Sequence, residues 1–273
     1  AGIDDTTRLI RQTSTLLQTR GIKLELVLLP DKIRFYQDKL PDGDKMSAQV
    51  QGRYGLILEK LRQNGINTFD GEAVLRQVQQ SGQQVFYRTD QHWTQPAADA
   101  TAEATAAMIQ RDLPQLAGQP NTGMTLGIPT KERRYGDLAE LFLTPDEKKQ
   151  VGRDVFEVRK YTASNNLIDD APASIHITGH SMVQPYFGFP QKLSNLLDRP
   201  VSLNWKSGNV GPWAMLLEYV ESTSFQQHKP QVLVWQMFEP SFPQGPNATG
   251  MWDNASLMTD EVWLSRLKAA VGK

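Results

Sequence analysis

The sequence predicts an α/β fold, in which helices cover both faces of a mostly parallel β-sheet. The first observation is a strand signal at residues 23–29, where alternation gives way to a continuous apolar run before Pro30. The second is a similar apolar run at residues 231–235. The third is that helix-like and strand-like segments alternate between these runs, with no linker to divide them. Residues 1–273 are therefore expected to form a single domain.

The first half of the chain is organised around four segments whose apolar residues recur at helical spacing. Capping residues, a proline and glycines mark where these segments begin and end. Helices are predicted at residues 4–20, 47–63, 72–80 and 97–111, and short strands at residues 66–69 and 85–87. The loop Pro30-Asp31-Lys32 follows the first strand at its carboxyl end, where open α/β sheets commonly form sites. A turn with solvated charges is an equally good interpretation of this loop.

The second half begins with an irregular segment. Residues 112–150 carry proline, glycine and charge without a clear period, apart from an apolar patch at residues 138–143, and are predicted to run over the surface. Periodicity then returns. Strands are predicted at residues 155–158, 174–178, 200–205 and 231–235, and helices at residues 189–197, 213–225 and 260–271.

Composition excludes several classes of function. The 29 Lys and Arg residues nearly balance the 30 Asp and Glu residues, so there is no overall field to attract nucleic acid or an anionic membrane. The absence of cysteine excludes disulfides, thiolate metal sites and cysteine nucleophiles. No apolar run approaches the roughly 20 residues of a membrane span. The chain starts without Met or a basic and apolar leader, so a processed or excised fragment is expected.

The stretch Thr89-Asp90-Gln91-His92-Trp93-Thr94 places a carboxylate and an imidazole two residues apart. In an extended segment, residues i and i+2 project from the same face, so Asp90 and His92 are expected to lie side by side. The stretch falls on a predicted strand-to-helix connection. It therefore predicts an acid and base pair at the edge of the sheet.

A candidate nucleophile lies downstream, where the strand at residues 174–178 ends in Gly179-His180-Ser181-Met182. A glycine turn at this point exposes the Ser181 hydroxyl at the end of the sheet. Serine becomes nucleophilic when an adjacent base accepts its proton, and the base requires a carboxylate to hold its tautomer. Each motif alone is a weak signal, but together they predict a catalytic triad of Ser181, His92 and Asp90.

These two motifs resemble those of the SGNH-hydrolase-like polysaccharide O-acetyltransferases of the alginate O-acetylation type, the AlgJ/AlgX-like proteins. The resemblance covers most of the chain, and it implies an SGNH-hydrolase-like, flavodoxin-like arrangement of the sheet. In this family the acid-histidine motif precedes the serine, the reverse of ordinary SGNH hydrolases, and this sequence has that order. It departs from ordinary SGNH enzymes at His180, which replaces the acid of Gly-Asp-Ser. The usual oxyanion-hole asparagine motif is also not literally present.

The resemblance implies an O-acetyltransferase that moves an acetyl group through a serine ester to hydroxyls of a bacterial exopolysaccharide, alginate or a similar polymer. With water as acceptor the same residues would act as an acetylesterase. It further implies a periplasmic setting and a membrane-bound acyltransferase that supplies acetyl groups. No cofactor is expected, and the balanced charge argues against a nucleic-acid partner. Two alternatives remain. One is a non-catalytic polysaccharide-binding or scaffold subunit, and the other is a metal-dependent hydrolase with Asp90, His92 and His180 as ligands.

Further residues are candidates for oxyanion stabilisation or substrate binding. Backbone amides of a glycine loop, together with an asparagine side chain, suit a developing oxyanion, although an ordinary glycine turn is an equally good interpretation. Aromatic side chains in loops suit stacking on sugar rings, although burial is the commoner fate of tryptophan. The candidates are Gly208, Asn209, Gly211, His180, Tyr186 and Trp93. Lys131, Arg133 and Arg134 are candidates to pair with an anionic polymer, or form a solvated charge run.

Overall fold

A five-stranded parallel sheet lies at the centre of the computed structural model, which describes residues 2–159 and 173–272. The strands of the described residues are β1 (Lys23–Leu29), β2 (Asn67–Thr68), β3 (Pro129–Arg134), β4 (Asp154–Arg159), β5 (Ile175–His180), β6 (Val201–Lys206) and β7 (Val232–Phe238). The central sheet has the order β2-β1-β7-β5-β6, and each neighbouring pair is parallel. Strands β3 and β4 form a separate antiparallel pair.

Helices cover both faces of the central sheet, which confirms the predicted fold class. The helices of the described residues are α1 (Gly2–Gln18), α2 (Ala48–Gln63), α3 (Gly71–Gln80), α4 (Gln95–Asp112), α5 (Asp137–Phe142), α6 (Pro145–Val151), α7 (Phe189–Leu197), α8 (Gly211–Val220), α9 (Thr223–Gln227) and α10 (Asp260–Val271). One core joins the sheet to α1, α2, α8 and α10, and the other joins it to α3, α4 and α7. None of these helices is long and apolar enough to cross a membrane.

The strand order explains why the last strand is apolar at every position except Gln236. In the flavodoxin order the fifth strand lies at an edge, whereas here β7 lies between β1 and β5. Its residues from Val232 to Met237 are consequently buried on both faces. This order also brings the loops that follow β1, β5 and β7 to the same edge of the sheet, because all three strands point in the same direction.

Four parts of the chain differ from the sequence prediction. Residues 85–87 form no strand of the sheet and make only an isolated bridge between Phe86 and Trp93. Strand β4 pairs with β3 instead of joining the central sheet. The predicted helix at 213–225 is two helices, since Ser222 caps the start of α9. The segment 112–150 contains β3, α5 and most of α6, and the exposed, highly charged sequence of β3 gives no alternation to detect.

Candidate active site

The side chains of Asp90, His92 and Ser181 form a continuous hydrogen-bonded chain. The Nδ1 atom of His92 lies 2.5 Å from Oδ1 of Asp90, and its Nε2 atom lies 2.8 Å from Oγ of Ser181. Asp90 and His92 are both buried, whereas Ser181 is partly exposed. These are the contacts that a serine nucleophile, a general base and an orienting carboxylate require.

The loop that carries Asp90 and His92 is closed by backbone hydrogen bonds. The N–H of Tyr87 donates to the carbonyl of His92 (3.1 Å), and the N–H of Thr94 donates to the carbonyl of Val85 (3.0 Å). The backbone N–H of His92 also donates to Oδ1 of Asp90 (2.8 Å). Because Asp90 accepts from both the backbone and the ring of His92, the two side chains are held together independently of Ser181.

Lys32 holds the same loop from the side of β1. Its ammonium donates to the carbonyls of Tyr87 (2.7 Å) and Asp90 (2.9 Å). The preceding residue is anchored as well, because the N–H of Asp31 donates to the buried carboxylate of Glu239 (2.8 Å). The loop Pro30-Asp31-Lys32 is therefore more than a solvated turn, since it ties the ends of β1 and β7 to the acid-histidine loop.

Gly136 and Asp137, at the start of α5, complete the surroundings of Asp90. The N–H of Asp137 donates to the second carboxylate oxygen of Asp90 (2.9 Å). The Asp137 carboxylate accepts from the backbone (2.8 Å) and side chain (2.6 Å) of Gln91, and lies 3.6 Å from Nδ1 of His92. Sequence reasoning assigned this segment to the surface and missed both residues. A glycine and an aspartate before an apolar patch mark a helix start, but nothing local indicates what that start contacts.

The environment of Asp90 favours the ionised carboxylate. Burial alone would raise the pKa of Asp90, but hydrogen bonds from the His92 ring and from the N–H groups of Asp137 and His92 lower it to about 2. Asp90 is therefore ionised at neutral pH. An ionised carboxylate against Nδ1 keeps the proton on that nitrogen and leaves Nε2 free to accept one.

Ser181 begins a single helical turn, Ser181–Val183, directly after β5. A Cβ atom on Gly179 would lie 2.6 Å from Oε1 of Gln236 and 2.9 Å from Cγ2 of Val183, so only glycine permits this close approach. The ring of Phe187 stacks on His92 with 4.5 Å between centroids. These contacts fix both the serine and the imidazole that faces it.

Trp93 connects the acid-histidine loop to the serine turn from within the core, which corrects its predicted role in sugar binding. Its side chain is 1% exposed, and its indole N–H donates to the carbonyl of Met182 (2.9 Å). A buried indole has no face available to a polysaccharide. Trp93 therefore positions the serine turn against the acid-histidine loop.

His180 is neutral and supports the serine turn. Its ring Nδ1 atom accepts from the backbone N–H of Met182 (3.3 Å), and the backbone N–H of His180 donates to Oε1 of Gln236 (3.1 Å). Burial, and then the proximity of His92, lower the pKa of His180 to about 3. The ligand set of the metal alternative is corrected as well. The third residue that lies close enough to Asp90 and His92 to share a metal ion is Asp137, not His180.

A cavity of about 420 Å³ opens beside Ser181. Four of the six predicted oxyanion or substrate-binding residues line it, namely His180, Gly208, Asn209 and Gly211. Its other walls include Met182, Met215, Met237 and Trp252, and no Lys, Arg, Asp or Glu is among its described lining residues. Gly211 lies against the ring of Trp252. The nucleophile therefore faces an uncharged and largely apolar space.

Tyr186 lies outside the cavity walls and contacts the β3–β4 pair. Its hydroxyl accepts from Nε of Arg134 (3.1 Å) and donates to Glu132 (3.0 Å). The Arg134 guanidinium also lies 3.8 Å from the ring centroid of Phe156. Arg134 is therefore occupied by contacts within the chain, whereas Lys131 and Arg133 are exposed on β3.

Comparison with known proteins gives consistent similarities. A probable alginate O-acetylase AlgJ of Pseudomonas syringae pv. tomato is 28% identical over 97% of this chain and 67% of that protein. Its counterpart in Pseudomonas fluorescens is 28% identical over 93% of this chain and 64% of that protein. The chain thus spans about two thirds of the length of these relatives.

Solved structures agree with the sequence matches. The O-acetyltransferase domain of Pseudomonas putida AlgJ superposes with a TM-score of 0.81 at 26% identity, covering 98% of this chain and 90% of that one. Pseudomonas aeruginosa AlgX shares the fold, with a TM-score of 0.69 at 18% identity over 98% of this chain and 61% of that one. The family model described as "SGNH hydrolase-like domain, acetyltransferase AlgX" matches residues 1–239. With most of its length matched, the chain belongs to this SGNH hydrolase-like domain family of the acetyltransferase AlgX.

Proposed function

We propose that this chain is an O-acetyltransferase that moves an acetyl group through an ester of Ser181 to hydroxyls of an exopolysaccharide, alginate or a similar polymer. The observation that carries the proposal is the unbroken hydrogen-bonded chain from Asp90 through His92 to Ser181, beside an uncharged cavity. The names of the relatives, alginate O-acetylases, support both the acetyl group and the polymer.

The first half of the reaction loads the serine. Oγ of Ser181 attacks the acetyl carbonyl of the donor while Nε2 of His92 accepts the hydroxyl proton. Asp90 stabilises the imidazolium that forms. The tetrahedral intermediate then expels the donor's leaving group, which takes the proton from His92, and acetyl-Ser181 remains.

The second half transfers the acetyl group. A polysaccharide hydroxyl gives its proton to Nε2 of His92 and attacks the ester carbonyl. Collapse of this intermediate returns the proton to Oγ of Ser181 and releases the acetylated sugar. Water in place of the sugar hydroxyl gives hydrolysis, so the acceptor distinguishes the transferase from the esterase.

Donors for the developing oxyanion are proposed among the groups around the cavity. Ser181 is the first residue of its helical turn, where N–H groups have no acceptor within the turn. Gly208 and Asn209 line the same cavity. The Oδ1 atom of Asn209 accepts from the Ser207 hydroxyl (2.6 Å), which directs its amide N–H group away from Ser207. We assign the backbone N–H groups of Ser181, Gly208 and Asn209, together with the side-chain amide of Asn209, to the oxyanion.

The setting follows from the same proposal. A periplasmic location and a membrane-bound acyltransferase that delivers acetyl groups rest on the resemblance of the two motifs to the alginate O-acetylation proteins. The uncharged, apolar cavity beside Ser181 supports an acyl donor that enters as a neutral ester.

The proposal is tested by following the acetyl group. The protein is mixed with a chromogenic acetyl ester, with and without an alginate oligosaccharide, and is examined by mass spectrometry. We expect an acetyl group on the peptide containing Ser181 and an acetylated oligosaccharide. A protein that binds the oligosaccharide but yields neither product is the scaffold subunit instead. Activity that disappears with a chelator would favour the metal-dependent hydrolase.

Gly136→Ala is expected to lower kcat while Ser181 and His92 are unchanged. The new Cβ would lie 2.5 Å from the carbonyl oxygen of Thr89 and also too close to Cβ of Asp90, so the acid-histidine loop must shift. A misplacement of about 1 Å costs on the order of 100-fold in rate. The measurement is kcat for the chromogenic ester.

Gly52→Ala is the matched control, because a Cβ on this helical glycine meets nothing within 4 Å. Alanine is favoured over glycine within a helix, so this variant should keep wild-type kcat and gain some stability. Equal kcat for the two variants would contradict the role of the Gly136 contact.

A further inference from the structure

One of the six tryptophans is exposed. Trp93, Trp213, Trp235, Trp252 and Trp263 are each at most 5% exposed, whereas Trp205 is 38% exposed. The five buried rings have hydrogen-bond or packing partners within the two cores. The indole of Trp205 is the exception.

Trp205 lies next to the serine turn. It is the penultimate residue of β6, the edge strand beside β5, and its Cα pairs with Gly179. Ser181 lies two residues after Gly179, directly after the end of β5, and His180 between them is extended. With neighbouring strands about 4.8 Å apart and a rise of about 3.3 Å per residue, Trp205 and Ser181 have Cα atoms roughly 8 Å apart.

The face of β6 that carries Trp205 follows from its neighbours. Ser202 and Asn204 point toward α8, because their side chains contact His176 and Asn204 also donates to the carbonyl of Met215. Leu203 packs into the opposite core, with α7. By alternation Trp205 shares the face of Leu203, at the end of the strand where the core no longer covers it. It does not line the cavity beside Ser181, so it is a second surface next to the nucleophile.

Polar groups follow Trp205 at the same strand end. Lys206 is 51% exposed and pairs with the exposed carboxylate of Glu218. Such an exposed ion pair contributes little to stability. Ser207 and Asn209 are also exposed. Lys206 alternates onto the α8 face of β6, and Ser207 and Asn209 line the cavity. The exposed ring of Trp205 is therefore the feature that suits a carbohydrate, since an aromatic face can stack on the C–H face of a pyranose.

We propose that Trp205 is the platform of an acceptor subsite, on which one pyranose ring of the polysaccharide stacks while a neighbouring ring presents its hydroxyl to acetyl-Ser181. This inference rests on the proposed function and adds the surface that holds the acceptor. Two linked pyranose rings span the separation between Trp205 and Ser181. The acyl donor and the acceptor then approach the nucleophile from separate surfaces.

Tryptophan fluorescence tests the subsite directly, because Trp205 is the exposed indole. We expect an alginate hexasaccharide or cellohexaose to change the emission of the wild-type protein and to protect it from quenching by acrylamide. Trp205→Phe should lose this response. Binding of both probes shows stacking alone, and binding of only the alginate probe shows that a uronate carboxylate is recognised as well. Sugar-dependent protection that persists in Trp205→Phe would overturn the inference.

Kinetics give an independent test. Trp205→Ala is expected to raise KM for the oligosaccharide acceptor about tenfold, the upper range for an aromatic contact, while hydrolysis of the chromogenic ester is unchanged. Leu56→Ala, which alters another exposed apolar residue (44% exposed) on α2, should change neither value. An unchanged acceptor KM in Trp205→Ala would overturn the subsite and leave the acetyltransferase intact. A wild-type protein without any ester turnover would instead contradict the proposed function, and fluorescence would still decide the subsite.

Discussion

Ser181→Ala is expected to lower kcat for hydrolysis of an acetyl ester by about 10⁴-fold or more, and His92→Ala by a similar factor. The 2.8 Å contact between Nε2 of His92 and Oγ of Ser181 makes the two side chains one device, since the hydroxyl is reactive only while the imidazole accepts its proton. The double variant should therefore be no slower than either single variant. The measurement is the rate of chromogenic ester hydrolysis, with circular dichroism to establish folding.

Ser14→Ala, on α1 and outside the lining of the cavity beside Ser181, is the matched serine control and should keep full activity. A loss of kcat in the double variant equal to the product of the two single losses would mean that Ser181 and His92 act independently. Retained hydrolysis in Ser181→Ala would remove the serine ester from the mechanism.

Asp90→Asn tests how Asp90 acts on His92, because it changes the hydrogen bond to the imidazole without changing the shape of the side chain. An amide of the same shape favours the wrong imidazole tautomer, and the expected loss in kcat is about 10⁴-fold. Asp137 is the nearest alternative carboxylate, but it lies 3.6 Å from Nδ1 of His92 and is held by two hydrogen bonds from Gln91. A small loss in Asp90→Asn together with a large loss in Asp137→Asn would make Asp137 the orienting group.

Much of the fold could be predicted because its signals are local. Helices α7 and α10 and strand β1 have the predicted bounds, since an apolar period or run begins and ends with them. The order of the strands in the sheet could not be predicted in this way. Nothing in the β7 sequence says that it lies between β1 and β5, because a doubly buried strand is apolar at any interior position of the sheet.

The residues of the site also divide into those that a local signal predicts and those that it does not. Asp90, His92 and Ser181 could be predicted because two short motifs carry residue types whose chemistry is specific. Gly136 and Asp137 could not, because their role depends on contacts with residues 47 positions earlier in the chain, on the far side of α4 and β3. Trp93 was predicted at the sugar and lies in the core, since a sequence shows that an aromatic residue is near a motif but not which way it points.

Glu25→Gln is expected to stabilise the protein by about 3 kcal/mol at pH 7. Glu25 lies in the middle of β1, is fully buried, and neither carboxylate oxygen accepts a hydrogen bond from the described residues. Burial, followed by the neighbouring Asp112 carboxylate, raises the pKa of Glu25 from 4.5 to about 9. Glutamine is already neutral, and its amide can donate toward Asp112 as the protonated carboxyl does.

The dependence on pH distinguishes this effect from a simple packing change. Between pH 4.5 and about 9 the folded state keeps a proton on Glu25 that the unfolded chain has lost, so wild-type stability falls as pH rises through this window. The gain in Glu25→Gln should be near zero at pH 4.5 and should grow toward pH 9, with a rise in Tm of roughly 6 to 12 °C at pH 7. Glu59→Gln, on the exposed side of α2, should give a curve parallel to wild type. A constant difference between Glu25→Gln and wild type from pH 5 to 8, measured by thermal unfolding, would mean that Glu25 is ionised in both states.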